Sequence, residues 1–112
     1  MDFSLNDEQQ MLQSTARKFA ADVLTAEARH IEEHDVPVSH ELRQKFAEMG
    51  FLGMNLPARY GGAGMGHFEA VLVLEELAKV SVAVAFPVFE ASFGPSLAIA
   101  HFAPEELRQR IL

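Results

Sequence analysis

Cysteine is absent from these 112 residues, so neither a disulfide framework nor thiolate chemistry is available. Positive charge is scarce: 9 Lys and Arg stand against 16 Asp and Glu, a formal charge of −7. No basic run interleaved with aromatics occurs, which argues against nucleic acid, because a phosphate backbone is held by clustered Lys and Arg. The opening "MDFSLNDEQQ" lacks the basic and apolar regions of a secretory signal, and the cytoplasm is the expected location. Period-two alternation is missing, and so is any internal repeat. Tyrosine occurs once, at Tyr60.

What is present is apolar and helical in spacing. Hydrophobic residues make up 49% and charged residues 22%, the usage of one globular domain. "LNDEQQMLQSTARKFAADVL" begins with a capping signature: Asn6 as cap, Asp7 and Glu8 in the first turn, and Gln9 as its partner. Leu12, Thr15, Ala16, Phe19 and Val23 then make one apolar stripe. A polar stretch, "TAEARHIEEHDVPVS", reads as a short separate helix and a loop closed by Pro37. "SHELRQKFAEMG" has Ser39 as cap, Leu42, Phe46 and Met49 on one face, and Gly50 as stop. "HFEAVLVLEELAKVS" presents Phe68, Val71, Leu72, Leu74 and Leu77, and Pro104 stands where a last helix, "PEELRQRIL", begins. The expected class is all-α, a bundle of about five to six helices. The last helix is still running at Leu112 with Leu107, Ile111 and Leu112 uncovered, so residues 1–112 are expected to be a piece of a longer chain.

Five stretches invite a functional reading. "HIEEH" matches H-x-x-E-H, in which His30 and His34 would share zinc with Glu33 as base; its polar surroundings, Asp35 and Pro37 argue for a solvated helix end instead. "GGAGMG" resembles a phosphate loop but lacks the Walker lysine and a preceding strand. Glu75 and Glu76 are neighbours about 100° apart on a helix, so one is expected buried and the other solvated, not a catalytic pair. From Val80 to Ala100 only Glu90 is charged, over a length that could span a bilayer. Its two prolines and mid-span glutamate favour a core helix buried on all sides, with no membrane insertion. Within it Phe86, Phe89 and Phe93, extended by Val82 and Leu97, form a stripe that is core on its face, or the floor of an apolar cavity.

"LPARYGGAG", "VLEELAKVSVAVA" and "SFGPSLAIAHFAPEELRQRIL" together resemble the N-terminal helical domain of the acyl-CoA dehydrogenase family. "DFSLNDEQQMLQSTARKFAADVL" and "FAEMGFLGMNLP" are similar to that family's first and third helices, so the resemblance covers nearly all of the chain. One departure is Ala58–Arg59, where the family's loop carries a glutamate near Pro57. The resemblance implies a helical domain without the β-domain and C-terminal bundle of the full enzyme. It implies α,β-desaturation of an acyl-CoA thioester with FAD, electrons passing to an electron-transfer flavoprotein, and a homo-oligomer (dimer or tetramer) when complete. The catalytic glutamate and most flavin contacts are then expected outside these residues, which leaves no catalytic, cofactor-binding or metal residue here. By the same resemblance Phe89, Glu90 and Phe93 lie at the acyl-chain pocket, and "LPARYGGAG" is a structural turn packed by Tyr60. Related oxidases and monooxygenases, and a stand-alone helical binding module without catalysis, are the alternatives.

Overall fold

The computed structural model describes all 112 residues and is wholly helical, without strands. Helix α1 (Asp7–Phe19) continues through a π-helical turn (Ala20–Leu24) into α2 (Thr25–His34), so the first two expected helices are one unbroken rod. The capping box forms as expected: Gln9 N–H donates to Asn6 Oδ1 at 2.8 Å, and Asn6 N–H donates to Gln9 Oε1 at 3.0 Å. The wide turn inserts an extra residue into the helical period and rotates α2 relative to α1. Ala16, Phe19, Ala20 and Leu24 are buried and Leu12 and Val23 pack half-buried against the core, while Thr15 is exposed and drops out of the predicted stripe.

Helix α3 (His40–Glu48) starts at Ser39, whose Oγ accepts from Leu42 N–H at 3.1 Å. It buries Leu42 and Phe46, and Met49 turns outward. Phe19 packs edge-on against Phe51 at 5.5 Å and tilted against Phe46 at 5.7 Å, closing the rod onto α3 and its exit. Helix α4 (His67–Ala78) lies between α1 and α5 (Val82–Ser92), and α6 (Pro95–Phe102) and α7 (Glu105–Ile111) follow on the outside. The molecule measures 41 × 39 × 22 Å, about two helix diameters thick. It is a slab.

The glycine-rich stretch makes the turn between α3 and α4. Pro57 caps a single 3₁₀ turn (Ala58–Tyr60), which Gly61 ends at φ 88°, a left-handed conformation open to glycine. Gly62 passes so close to the backbone that a Cβ there would collide with the Leu56 carbonyl. Tyr60 is buried, and its hydroxyl donates to Glu105 Oε2 at 2.7 Å, tying the turn to α7. Arg59, the departure noted in the loop, lies 4.7 Å from the Tyr60 ring centroid, where a guanidinium is attracted by the π face.

The apolar stretch after Val80 is not the all-round buried helix expected. Val82–Phe102 is long and apolar enough to cross a membrane by composition, with a window of mean hydropathy 1.5, yet only 28% of that window is buried. The chain bends at Phe93 and Gly94, so α5 and α6 are separate, adjacent helices. Pro87 sits inside α5, whose buried face is Val84, Ala85, Val88 and Ser92. Of the Phe86, Phe89 and Phe93 stripe, Phe86 and Phe89 lie off that face and are exposed, which removes them from the core, whereas Phe93 packs against it.

Candidate functional site

Glu76 shows how α4 is seated. Its side chain is 2% exposed, and Arg17 grips it with two bonds, Nε to Oε2 at 3.2 Å and Nη2 to Oε1 at 3.0 Å. Lys79 Nζ adds a third at 2.9 Å. The Arg17 hydrogen bonds, against the opposing effect of burial, hold the Glu76 carboxyl below its ordinary value. Glu75 is exposed, so the split expected of this carboxylate pair is realised. With its acceptor positions occupied by cations, Glu76 is a clasp and not a base.

The edge of α4 turned away from α1 is different. Leu74 and Ala78 line a wholly apolar groove of about 170 Å³ with Val82, Ala85, Phe86 and Phe89 of α5. Val82, Phe86 and Phe89 are 69%, 49% and 37% exposed. Phe68 and Val71, expected to help bury α4, are exposed too and extend the same stripe at helical spacing. The rings form a ladder: Phe86 to Phe89 at 5.4 Å, then Phe89 to Phe93 stacked at 6.3 Å. Phe93 is half-buried and packs on the core.

Of the three predicted pocket residues, Phe89 and Phe93 are brought together and Glu90 is not. Glu90 lines a separate hollow with Arg43, Pro87, Ser96 and Ile99 on the α3–α6 side. Adjacent helical positions diverge by about 100°, which separates Glu90 from Phe89.

Asn55 is a residue that sequence reasoning misses. Its Nδ2 donates to the Ser92 carbonyl and to His67 Nδ1, both at 2.8 Å. It thereby caps the C-terminal end of α5 and ties it to the first residue of α4, with the His67 ring 6.2 Å from Phe93. A lone asparagine in a loop carries no periodic signal that could have revealed this.

The glycine loop does not fit a phosphate or a flavin pyrophosphate. The N–H groups of Gly61, Gly62, Ala63, Gly64 and Met65 donate to the carbonyls of Ala58, Pro57, Gly53, Leu56 and Met54 respectively. The start of α4 is served by its own Glu69, held below its ordinary value by the Gln9 amide first, then by the Glu69 and Gly66 backbone. A larger hollow of about 420 Å³ lies nearby against α1, but Glu8 and Glu69 on its walls would repel a polyphosphate. No group of three or more His, Asp or Glu side chains gathers in metal-binding geometry.

The chain is similar to several known proteins. The chain is 33% identical over 107 residues to 3-sulfinopropanoyl-CoA desulfinase of Paraburkholderia xenovorans, covering 96% of this chain and 27% of that protein. It is 38% identical over 81 residues to mitochondrial isovaleryl-CoA dehydrogenase of Bos taurus (71% and 19% covered). It is 42% identical over 86 residues to acryloyl-CoA reductase (NADH) of Anaerotignum propionicum (76% and 21% covered). The chain thus spans about a quarter or less of the length of these relatives. A chain in the solved structure of the electron transferring flavoprotein of Acidaminococcus fermentans superposes with TM-score 0.87 at 31% identity, over 100% of this chain and 29% of that one. The family described as acyl-CoA dehydrogenase, N-terminal domain, matches residues 6–112, and the chain belongs to that family.

Proposed function

We propose that this domain forms one wall of an acyl-CoA thioester site in a flavin-dependent oxidoreductase that desaturates the acyl group between Cα and Cβ. The observation that carries the reading is the α4–α5 groove: six apolar residues, no polar lining group, and two phenylalanines left facing outward. Exposed aromatic surface of this kind in a slab two helices thick calls for an apolar occupant. The distal part of the acyl chain, lying against Phe86 and Phe89 with Phe93 at the end of the ladder, is that occupant.

The relatives' names support the thioester more firmly than the reaction. A desulfinase, a dehydrogenase and a reductase share an acyl-CoA substrate and differ in what is done to it. The base, the flavin contacts and the CoA phosphate contacts are therefore assigned to parts of the fold outside these residues, and no step is routed through this chain. An electron-transfer flavoprotein as acceptor, a homo-oligomeric complete enzyme and a cytoplasmic setting belong to the same proposal. The test is to purify the protein from its complete reading frame and supply a panel of acyl-CoA thioesters with a dye acceptor. Stoichiometric enoyl-CoA and dye reduction are expected. Flavin-free protein, or thioester turnover without dye reduction or enoyl-CoA, would overturn the desaturase reading.

A further inference from the structure

His30 and His34 belong neither to the core nor to the aromatic groove. Helix α2 runs through both without a break and ends only at Asp35, whose φ of 50° is left-handed. The two imidazoles therefore stand one turn apart on one face, exposed, with ring centroids 4.4 Å apart. His34 Nδ1 lies 3.0 Å from the His30 carbonyl oxygen. A carbonyl can only accept, so Nδ1 is the donor in this contact, and in the neutral ring that leaves the lone pair on Nε2. An imidazole fixed by Nδ1–H on a backbone carbonyl is the arrangement usual among metal-bound histidines. His30 is exposed, so a turn of its ring toward the Nε2 of His34 meets no packed core.

This is not a protease centre. Glu33 points about 100° away from His34, and no third ligand converges on the pair. Charge nonetheless favours a cation, because Glu27, Glu32, Glu33 and Asp35 lie within a turn or so against the single cation Arg29, in a chain of net charge −7. We propose that His30 and His34 form a two-point chelate for a divalent transition-metal ion of the Zn²⁺, Ni²⁺ or Cu²⁺ class, with water in the remaining positions. Imidazole nitrogens suit these ions. The ion would bridge the last turn of α2, a helix with no buried residue of its own. Binding requires both rings to be neutral and so weakens as pH falls.

Titration of tag-free protein with NiCl₂, followed by calorimetry and by thermal melting, tests this. One Ni²⁺ per chain is expected, with Tm rising as nickel is added. His30→Asn or His34→Asn should each weaken binding by about tenfold or more, since loss of one ligand removes the advantage of the linked pair. Both sites are exposed, so the variants keep their fold; an unshifted Tm in metal-free buffer checks it. A double variant, Glu32→His with His34→Asn, keeps the number of histidines but sets them two apart, where they do not face each other. It should bind no better than His34→Asn. The proposal is overturned if nickel does not bind, if either single variant binds as tightly as the parent, or if the relocated pair restores affinity.

Discussion

Helix α4 has two edges, and they are built to opposite ends. On one side it buries Ala70, Val73, Leu77 and Glu76, the last clasped by Arg17 of α1. Toward α5 it presents Leu74 and Ala78 in an open groove, flanked by Phe68 and Val71 in solvent. The first edge completes its packing and its charge pairing within these residues. The second has the composition of a core and the exposure of a surface. A contact completed internally reports on stability; one left open reports on binding.

The largest effect should separate phenylalanines on the two sides. Phe46→Ala, in the core and fully buried, should cost about 3–5 kcal/mol, whereas Phe86→Ala, with about half its ring already in solvent, should cost about 1–2 kcal/mol. Chemical denaturation of both variants measures the gap, and similar losses would erase the distinction between the edges. Next is the clasp. Glu76→Ala leaves Arg17 and Lys79 able to return to water, so its cost is the lost charge-assisted bonds, about 1–2 kcal/mol after screening.

The same clasp gives a pH signature. The folded-state pKa of Glu76 lies below its ordinary value of 4.5, so its contribution is present above that value and is lost as pH falls below it. Acid titration of wild type against Glu76→Gln should show the wild type losing more stability on the acid side. Parallel curves would contradict the clasp. The groove has no titratable lining residue and should be indifferent to the same change.

Smaller still is the cap, where Asn6→Ala should cost about 1 kcal/mol by removing one half of the capping box, measured by thermal melting. On the open edge, the 112-residue polypeptide should self-associate, and replacing Val82 and Phe86 together by serine should reduce this in sedimentation. A monodisperse parent would show that the open edge needs no cover.

Local signals are legible in the sequence. Asn6 and Ser39 as caps, Gly50 as a stop and the all-α class follow from short-range rules that act within one turn. The family is legible too, because its blocks occur in order along the chain. Facing is less so. The π turn adds Ala20 and Leu24 to the buried side of the first rod and leaves Val23 at its margin, and no residue type announces such a turn. On α4 and α5 nearly every position is apolar, so periodicity cannot tell the core edge from the open one. For that reason it places Phe68 and Val71 inward and leaves Phe86 and Phe89 open between core and cavity floor. Glu90 shares a sequence block with Phe89 but not a face, which only the helical geometry separates.

The claim that the open edge receives an acyl chain is tested most directly by Phe89→Ala in the protein from the complete reading frame. The measurement is kcat/KM across acyl-CoA thioesters of increasing chain length, with Tm recorded for each preparation. Removing a ring that is 37% exposed frees room for several methylenes, each worth about 0.8 kcal/mol when buried. The account predicts a variant whose preference moves toward longer chains and whose Tm falls less than that of Phe46→Ala. A destabilised variant with unchanged chain-length preference would contradict it and return Phe89 to the core.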